Sequence, residues 1–329
     1  MKIDVTKCHG SGNDFLLLDE VGKGYDFTDE DRRALTLTLC NRETGPGADG
    51  ILFVLDSDRC DAMMRVFNSN GSEASMCGNG LRCVGRYVCE KIGKDDIMVE
   101  TMKADLHVSK EEEVYVGIPT YNVEISPVLF DLSSLPMSGN GEKLIDEKVE
   151  GLQSDRRFTA LAVPNPHLIA VVDRDVLSGN EQKDISDYLN GPNPLCPDGV
   201  NVSYVTIIEE GAIFVRTYER GVGFTNACGT AMSASTLVTC LLGYNAKGEA
   251  VDVYNPGGKV RVVVNEHADG TYSMELIGNA TYMYEATIQW DRAFPDRYDL
   301  EAKKELEENV AYRQLEEHAA SLVKKKVFL

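Results

Sequence analysis

The sequence predicts an α/β (α+β) protein built from two similar halves, and three observations support this. Short apolar runs of strand length alternate with helix-like segments along the chain. A Cys-Gly turn lies directly before a helix-like segment twice, at Cys77-Gly78 and at Cys228-Gly229. The residues before the turns also correspond, because Arg65 and Arg216 each precede their cysteine by 12 positions (77 − 65 and 228 − 216). We therefore interpret the chain as a duplication of one strand–turn–helix unit.

The elements of the first half follow from local patterns. Asp29–Cys40 is predicted to be a helix because Thr28 can cap its start. Leu81–Ile92 is predicted to be a helix because apolar residues such as Val84 and Val88 recur every four positions. Apolar runs with turn-like borders predict four strands, at Phe15–Leu18, Ile51–Leu55, Ala62–Phe67 and Val114–Ile118.

The second half is interpreted in the same way. Thr230–Leu242 has the small and apolar composition of a buried helix, whereas residues 119 to 157 are predicted to form loops between short elements. From Asp296 onward the composition predicts a packing helix with Leu306, Val310 and Leu315 in an apolar stripe, with a dimer or regulatory contact as the alternative. The predicted strands are Leu161–Val163, Leu168–Val172, Val202–Ile208, Ala212–Tyr218, Lys259–Val264, Ser273–Ile277 and Tyr282–Trp290.

Composition and charge exclude several classes of function. The 329 residues carry a formal net charge of −20, which disfavours nucleic acid and anionic membranes as partners. The sequence has neither a long apolar span nor a signal peptide, so we expect a cytoplasmic protein. Nine cysteines without a Cys-x-x-Cys motif indicate reduced thiols, with no disulfide framework, metal site or cofactor expected.

The two Cys-Gly turns indicate acid–base chemistry. A helix N-terminus presents free N–H groups that bind carboxylates, and it lowers the pKa of a cysteine toward neutrality. Inversion of an α-carbon beside a carboxylate needs one group to remove a proton and another to deliver one to the opposite face. A thiolate and a thiol satisfy this requirement, and the two helix N-termini stabilise the charge that develops at Cα by neutralising the substrate carboxylate.

Other interpretations of these residues stay open at this point. A thiol hydrolase could use one cysteine with His9 or His167 as its base, although it would leave the second turn unexplained. A redox pair and a non-catalytic amino-acid-binding protein are further alternatives. Gly45–Gly50 matches Gly-x-Gly-x-x-Gly, but it precedes a strand and follows a helix, so we interpret it as a turn.

Several longer motifs occur in one order over about residues 1–290. They are His9-Gly10-Ser11-Gly12-Asn13-Asp14-Phe15, Phe67-Asn68-Ser69-Asn70-Gly71-Ser72-Glu73, Met76-Cys77-Gly78-Asn79-Gly80-Leu81-Arg82-Cys83, Asn165-Pro166-His167, Gly199-Val200-Asn201-Val202, Tyr218-Glu219-Arg220-Gly221 and Ala227-Cys228-Gly229-Thr230. With these motifs the chain resembles the diaminopimelate epimerase family, whose members interconvert LL- and meso-diaminopimelate without a cofactor, on the path to lysine and peptidoglycan.

The resemblance implies a fold and an assembly. Two pseudo-symmetric domains, each a mixed β-sheet or barrel curled around a central helix, are expected at residues 1–113 plus 282–329 and at residues 114–281. The substrate site is expected in the cleft between them. A homodimer acting on a small amino acid is implied as well.

The resemblance also implies roles for individual residues. Cys77 and Cys228 are the expected acid–base pair, with Cys77 favoured as the base toward the LL isomer. His167 and Glu219 are expected to tune the thiol pKa values. The expected substrate-binding residues are Asn13, Asn68, Gly78, Asn79, Asn165, Asn201, Glu219, Arg220, Gly229 and Thr230, of which Gly78-Asn79 and Gly229-Thr230 would hold the α-carboxylate through their N–H groups.

The sequence departs from the family pattern at three positions. Phe224 stands where glutamate is common, Ala231 replaces a frequent glycine, and Gly50 falls where some members have a glutamine that contacts substrate. A histidine racemase or broad amino-acid racemase of the same fold is therefore the main alternative. The polar set for the distal end of diaminopimelate is complete, which favours diaminopimelate.

Overall fold

A computed structural model describes residues 1–139 and 141–328, and it contains nineteen strands and five α-helices within those ranges. The strands are β1 (Lys2–Gly10), β2 (Asn13–Asp19), β3 (Gly50–Leu55), β4 (Ala62–Asn68), β5 (Glu73–Ala74), β6 (Asp96–Glu100), β7 (Asp105–Glu111), β8 (Thr120–Ile125), β9 (Glu147–Lys148), β10 (Arg157–Ala162), β11 (Pro166–Val171), β12 (Asn201–Glu209), β13 (Ala212–Glu219), β14 (Gly223–Phe224), β15 (Ala250–Asn255), β16 (Gly258–Glu266), β17 (Tyr272–Asn279), β18 (Thr281–Trp290) and β19 (Tyr298–Glu305). The helices are α1 (Asp29–Leu39), α2 (Gly78–Ile92), α3 (Glu181–Asn190), α4 (Gly229–Leu241) and α5 (Glu308–Val327).

Most predicted elements are confirmed. Thr28 caps α1 through a capping box with Asp31, and α2 and α4 begin directly after Cys77 and Cys228. The predicted strand at Val114–Ile118 is wrong. That segment is a turn, in which the N–H of Ile118 bonds to the carbonyl oxygen of Tyr115 at 3.1 Å. Its apolar residues alternate at positions 114, 116 and 118 as they would in a strand, but Gly117 has a positive φ (78°), which turns the chain there.

Other elements were missing from the prediction. Strand β8 lies in the stretch predicted to be loops, and strand β1, helix α3 and strand β19 were not identified. Strand β19 is mostly exposed and highly charged, so it lacks an apolar pattern. It forms because its backbone pairs with β18, which is a long-range contact that local composition does not report.

The chain divides into two compact units. Unit 1 contains residues Met1–Val123 and Ile277–Gln314, and unit 2 contains residues from Glu124 to Leu276 together with the chain from Leu315 on. The sequence prediction placed all of 282–329 in the first domain, whereas the structure groups the second part of α5 with unit 2.

The strand pairing repeats between the units. In unit 1, β1–β2 is antiparallel, β2–β3 parallel, β3–β4 antiparallel, β4–β6 parallel and β6–β7 antiparallel. In unit 2, the pairs β10–β11, β11–β12, β12–β13, β13–β15 and β15–β16 follow the same alternation. Each parallel pair is bridged by a helix, and the short strands β5 and β14 occupy equivalent places. The duplication inferred from the sequence is confirmed.

A buried helix lies at the centre of each unit. Eleven of the fifteen residues of α2 and eleven of the thirteen residues of α4 are buried. Helix α2 contacts six strands of its own unit, β1 to β4 together with β6 and β7. The predicted fold class, a mixed sheet around a central helix in each of two similar domains, is therefore confirmed.

The C-terminal chain folds as a strand followed by a helix. Of the predicted apolar stripe, Leu306 lies before α5 begins and Val310 is 61% exposed, so Leu315 alone is a buried residue of the helix. The buried positions are instead Tyr312, Leu315 and Ala319, with Val323 one turn further. Among the described helices, none has the length and apolar character needed to span a bilayer.

Candidate active site

In unit 1, Cys77 is the N-cap of α2. Its backbone is extended (φ −145°, ψ 110°), so the helix begins at Gly78. Its Sγ accepts a hydrogen bond from the N–H of Gly80 at 3.4 Å, and the thiol donates to Asn13 Oδ1 at 3.7 Å. The thiol thus lies at the positive end of a buried helix, beside a predicted substrate-binding asparagine.

Asn79 and Arg82 extend this cluster. Asn79 Nδ2 donates to Asn13 Oδ1 at 3.2 Å, and Asn79 Oδ1 accepts from Arg82 Nη2 at 2.9 Å. Arg82 is fully buried, and its Nη2 also donates to Ser11 Oγ at 3.0 Å. A buried cation therefore orders two of the predicted substrate-binding side chains of unit 1.

Opposing influences act on the pKa of Cys77. Burial raises this pKa to about 11, while the N–H groups of Gly80 and Asn79 and the charge of Arg82 lower it. The sequence predicted that the helix terminus would bring the pKa toward neutrality. The helix acts in that direction, but burial outweighs it because the thiolate loses more hydration than these groups replace.

The remaining predicted residue of unit 1 is Asn68, at the end of β4. Its Nδ2 donates to Ser72 Oγ at 3.1 Å, and it lies opposite Gly50 in the β3–β4 pairing. A Cβ atom at Gly50 would lie 2.4 Å from the carbonyl oxygen of Phe67. This backbone accommodates no side chain at the position where some family members have glutamine.

In unit 2, Cys228 is the N-cap of α4. Its backbone angles (φ −122°, ψ 109°) resemble those of Cys77, and the helix begins at Gly229. Its Sγ lies 3.5 Å from Thr230 Oγ1, which lies 3.2 Å from His167 Nε2. The same ring nitrogen is 3.1 Å from Asn165 Oδ1. The structure thus joins four predicted site residues in one hydrogen-bonded chain.

Glu219 adds a negative charge to this cluster. It is the last residue of β13, and its Oε1 accepts a hydrogen bond from Thr225 Oγ1. Burial raises the pKa of Cys228 well above its ordinary value, the Glu219 carboxylate raises it further, and the Thr230 hydroxyl acts in the opposite direction. A neighbouring carboxylate favours the protonated thiol because it repels the thiolate.

Arg220 and Asn201 lie beside this cluster. The backbone N–H of Arg220 donates to Asn201 Oδ1 at 2.8 Å, and Arg220 Nη1 donates to the carbonyl oxygen of Asp198 at 2.9 Å. Asn201 lies opposite His167 in the parallel β11–β12 pair. Arg220 is exposed, so its guanidinium can reach a carboxylate of a ligand.

The two candidate histidines are buried and neutral. Burial lowers the pKa of His167 to about 3, with a further contribution from Arg220, and burial lowers the pKa of His9 to about 4. His9 bonds to Asn309 and to the N–H of Gly12, and its ring packs edge-to-face against Tyr312. Of the two, His167 is the one that the structure links to a cysteine, through Thr230.

Sequence reasoning missed two residues of these clusters. Arg82 stands inside a quoted motif five positions after Cys77 (82 − 77), yet its burial beside Asn79 depends on the packing of α2 against strands distant in sequence. Thr225 bonds to Glu219 because β14 folds back on β13. The hairpin that precedes each cysteine is duplicated, and this repeat was the sequence signal that could have identified Thr225.

Comparisons with known proteins agree on a family. A sequence model of the family described as diaminopimelate epimerase matches residues 5–121 and 159–283, more than half of the chain. The diaminopimelate epimerase of Enterococcus faecalis is 52% identical over 285 residues, covering 85% of this chain and 87% of that protein. The diaminopimelate epimerase of Lactiplantibacillus plantarum is 46% identical over 334 residues, covering 98% of this chain and 100% of that protein.

Solved structures with low sequence identity share the fold. A phenazine biosynthesis protein of the PhzF family from Bacillus anthracis is 17% identical with a TM-score of 0.64, covering 87% of this chain and 99% of that one. A hydroxyproline epimerase from Agrobacterium vitis is 14% identical with a TM-score of 0.58, covering 87% of this chain and 92% of that one.

Proposed function

The chain belongs to the diaminopimelate epimerase family, and we propose that it interconverts LL- and meso-2,6-diaminopimelate through the thiols of Cys77 and Cys228. The observation that carries this proposal is the pair of cysteines at the N-caps of two equivalent buried helices. Relatives that are 42–52% identical over most of the chain bear the same name.

The two thiols have the chemistry that inversion requires. One thiolate removes the α-proton, and the other thiol delivers a proton to the opposite face of Cα. The electron pair left at Cα is stabilised because the adjacent carboxylate is held by N–H groups at a helix N-terminus. Gly78-Asn79 and Gly229-Thr230 supply such groups directly after each cysteine.

The charges near the thiols favour a division of roles. Arg82 lowers the pKa of Cys77, whereas Glu219 raises that of Cys228. Cys77 is therefore favoured as the base and Cys228 as the acid, and the family resemblance assigns this arrangement to the LL isomer. In the reverse direction the roles exchange, as microscopic reversibility requires.

Diaminopimelate carries a second amino-acid head group, distant from the reacting Cα, and binding of that group would distinguish it from other amino acids. A second zwitterionic head needs a cation for its carboxylate and acceptors for its ammonium. Arg220 supplies the cation, while Glu219 and the amide oxygens of Asn165 and Asn201 supply acceptors in the same unit. Histidine offers only one such head, so its racemisation would leave these groups unused.

The decisive experiment measures exchange at Cα in deuterium oxide. The purified enzyme, without pyridoxal phosphate, should incorporate deuterium into diaminopimelate while it interconverts the isomers. Cys77→Ala and Cys228→Ala should each lower the rate at least about a thousandfold, because each removes one proton carrier. Cys60→Ala serves as the control, since Cys60 is a free cysteine in the connection between β3 and β4, outside both clusters.

The alternatives give different results in the same assay. Full activity of either alanine variant would contradict a two-thiol mechanism. Faster turnover of L-histidine than of LL-diaminopimelate would favour the racemase alternative. An acyl-enzyme detected by mass spectrometry would indicate a thiol hydrolase, and ligand binding without solvent exchange would indicate a non-catalytic binding protein.

We also propose a cytoplasmic homodimer, which rests on the family resemblance and on the acidic composition. Sedimentation of the purified protein tests the oligomeric state. A monomer at micromolar concentration would contradict it.

A further inference from the structure

We propose that Asn309, in the C-terminal helix α5, is a positioning residue for the substrate-binding turn Ser11–Asn13, on which it acts by fixing the tautomer of His9. This inference rests on the proposed function, because Asn13 matters there as a substrate-binding residue. Asn309 lies outside the segments that match the family model, 5–121 and 159–283.

The start of α5 is fixed firmly within unit 1. Glu308 accepts two hydrogen bonds from the guanidinium of Arg86, at 2.5 and 2.7 Å, and one from the backbone N–H of Tyr282 at 3.0 Å. Arg86 is itself buried in α2. The next residue of the helix, Asn309, is therefore held in place against β1.

The hydrogen bonds of His9 define its tautomer. Its Nδ1 accepts from the backbone N–H of Gly12 at 3.2 Å and faces Asn279 Nδ2 at 3.4 Å. Both partners are donors, so Nδ1 carries no proton. The ring proton therefore resides on Nε2, which donates to Asn309 Oδ1 at 3.2 Å. Asn309 is the acceptor that matches this tautomer.

The turn that His9 supports leads to the catalytic cluster. Ser11 adopts a left-handed conformation (φ 54°), and its N–H donates to Asn279 Oδ1 at 2.7 Å. Asn13 follows this turn, and its Oδ1 accepts from the Cys77 thiol. A strained backbone of this kind persists only where its surroundings hold it. Loss of the His9–Gly12 bond would let Asn13 move.

The charged and titratable groups around His9 come from four elements. They are Lys7 on β1, Asp14 on β2 and Arg82 on α2, and the phenol ring of Tyr312 on α5 lies 4.3 Å away, centroid to centroid. Burial is the largest influence and keeps the imidazole neutral. Asp14, which is paired with Lys7 and Arg42, raises the pKa of His9, but burial outweighs it.

The test uses two variants of Asn309 and a neighbouring control. Asn309→Leu is nearly isosteric but lacks the acceptor, and it should raise the KM for diaminopimelate about tenfold, the usual cost of one unpaired buried donor. The kcat should change less. Val310→Ala is the control, because Val310 is the next residue of the helix and is 61% exposed.

Asn309→Asp separates a tautomer role from simple packing. At about pH 8.5 the aspartate still accepts from Nε2, and KM should stay near the wild-type value. At about pH 6 the new carboxylate favours a protonated imidazole, which cannot accept from Gly12, so KM should rise toward the value of Asn309→Leu. A KM ratio independent of pH, or an Asn309→Leu enzyme equal to the Val310→Ala control, would overturn the proposal.

A measurement without substrate keeps this inference separate from the proposed function. The chain has five histidines, so the nitrogen-15 imidazole signals of labelled protein can be assigned by substitution. We expect His9 to have a protonated Nε2 and a bare Nδ1, and Asn309→Leu to weaken that pattern. The opposite tautomer in the wild type would overturn the inference even if the enzyme epimerises diaminopimelate. An inactive enzyme with the expected tautomer would contradict only the proposed function.

Discussion

The N-termini of α2 and α4 are equivalent in backbone but opposite in charge. Each begins directly after an extended cysteine in a unit with the same strand pairing. Beside Cys77 lies the buried guanidinium of Arg82, whereas beside Cys228 lies the carboxylate of Glu219. The two thiol sites thus share one backbone arrangement, and burial raises both thiol pKa values, but Arg82 lowers the pKa of Cys77 whereas Glu219 raises that of Cys228.

The hairpins before the two cysteines also differ in charge. Four residues before each cysteine (77 − 73 and 228 − 224) stand Glu73 and Phe224. Arg65 forms an ion pair with Glu73, whereas the guanidinium of Arg216 lies 5.1 Å from the ring centroid of Phe224. An ion pair in one unit is replaced by a cation–π contact in the other.

The largest effect is expected from Glu219→Gln, which removes the charge that distinguishes Cys228. The pKa of Cys228 should fall, because the carboxylate raises it in the wild type. Iodoacetamide should therefore alkylate Cys228 faster at a fixed mildly alkaline pH. Epimerisation should fall on the order of a hundredfold, since the lower pKa of Cys228 changes its proton affinity relative to Cys77 and a proposed substrate contact is lost. Alkylation is resolved by peptide mass spectrometry, with Cys60 as the reference thiol.

An unchanged alkylation rate of Cys228 in Glu219→Gln would show that burial alone sets its protonation. The carboxylate of Glu219 would then not account for any difference between the pKa of Cys228 and that of Cys77.

Arg82→Met tests the other half of the comparison. Arg82 lowers the pKa of Cys77, so its loss should raise that pKa and slow alkylation of Cys77 about tenfold at the same pH. Activity should fall by a similar factor. Arg82→Lys is the matched control because it keeps the charge. If both variants slow alkylation equally, the hydrogen bonds of Arg82 to Asn79 and Ser11 matter rather than its charge.

A smaller effect is expected where the two central helices differ in packing. Eight residues after each cysteine (85 − 77 and 236 − 228), α2 has Gly85 and α4 has Thr236. A Cβ at Gly85 would lie 2.2 Å from Cγ1 of Val108. Gly85→Ala should therefore lower the free energy of unfolding by about 1 kcal/mol, because overpacking exceeds the gain in helix propensity. Urea unfolding measures this, and a stabilised variant would contradict the close contact.

The sequence predicted the parts of the fold and site that depend on local pattern. The caps, the central helices and the duplicated hairpin all follow from residues near one another in the chain. Strand β19 and the contacts of Arg82 could not be predicted, because backbone pairing and burial join segments distant in sequence. The pKa of Cys77 was missed for the same reason, since burial is a property of the folded unit.

Phe224→Glu makes the second hairpin like the first, and its effect should be the smallest. The new carboxylate can pair with Arg216, whose pKa is lowered by burial in the wild type. Arg216 is already held by Gln182 Oε1 at 2.8 Å and by the carbonyl oxygen of Leu177, so the ion pair adds little. Loss of the cation–π contact offsets a gain of about 0.2–1 kcal/mol, and activity should stay within about threefold. Phe224→Leu, which removes the ring without adding charge, is the control. A tenfold change in the diaminopimelate KM of Phe224→Glu alone would mean that position 224 contacts the substrate, and that the two hairpins differ in recognition as well as in packing.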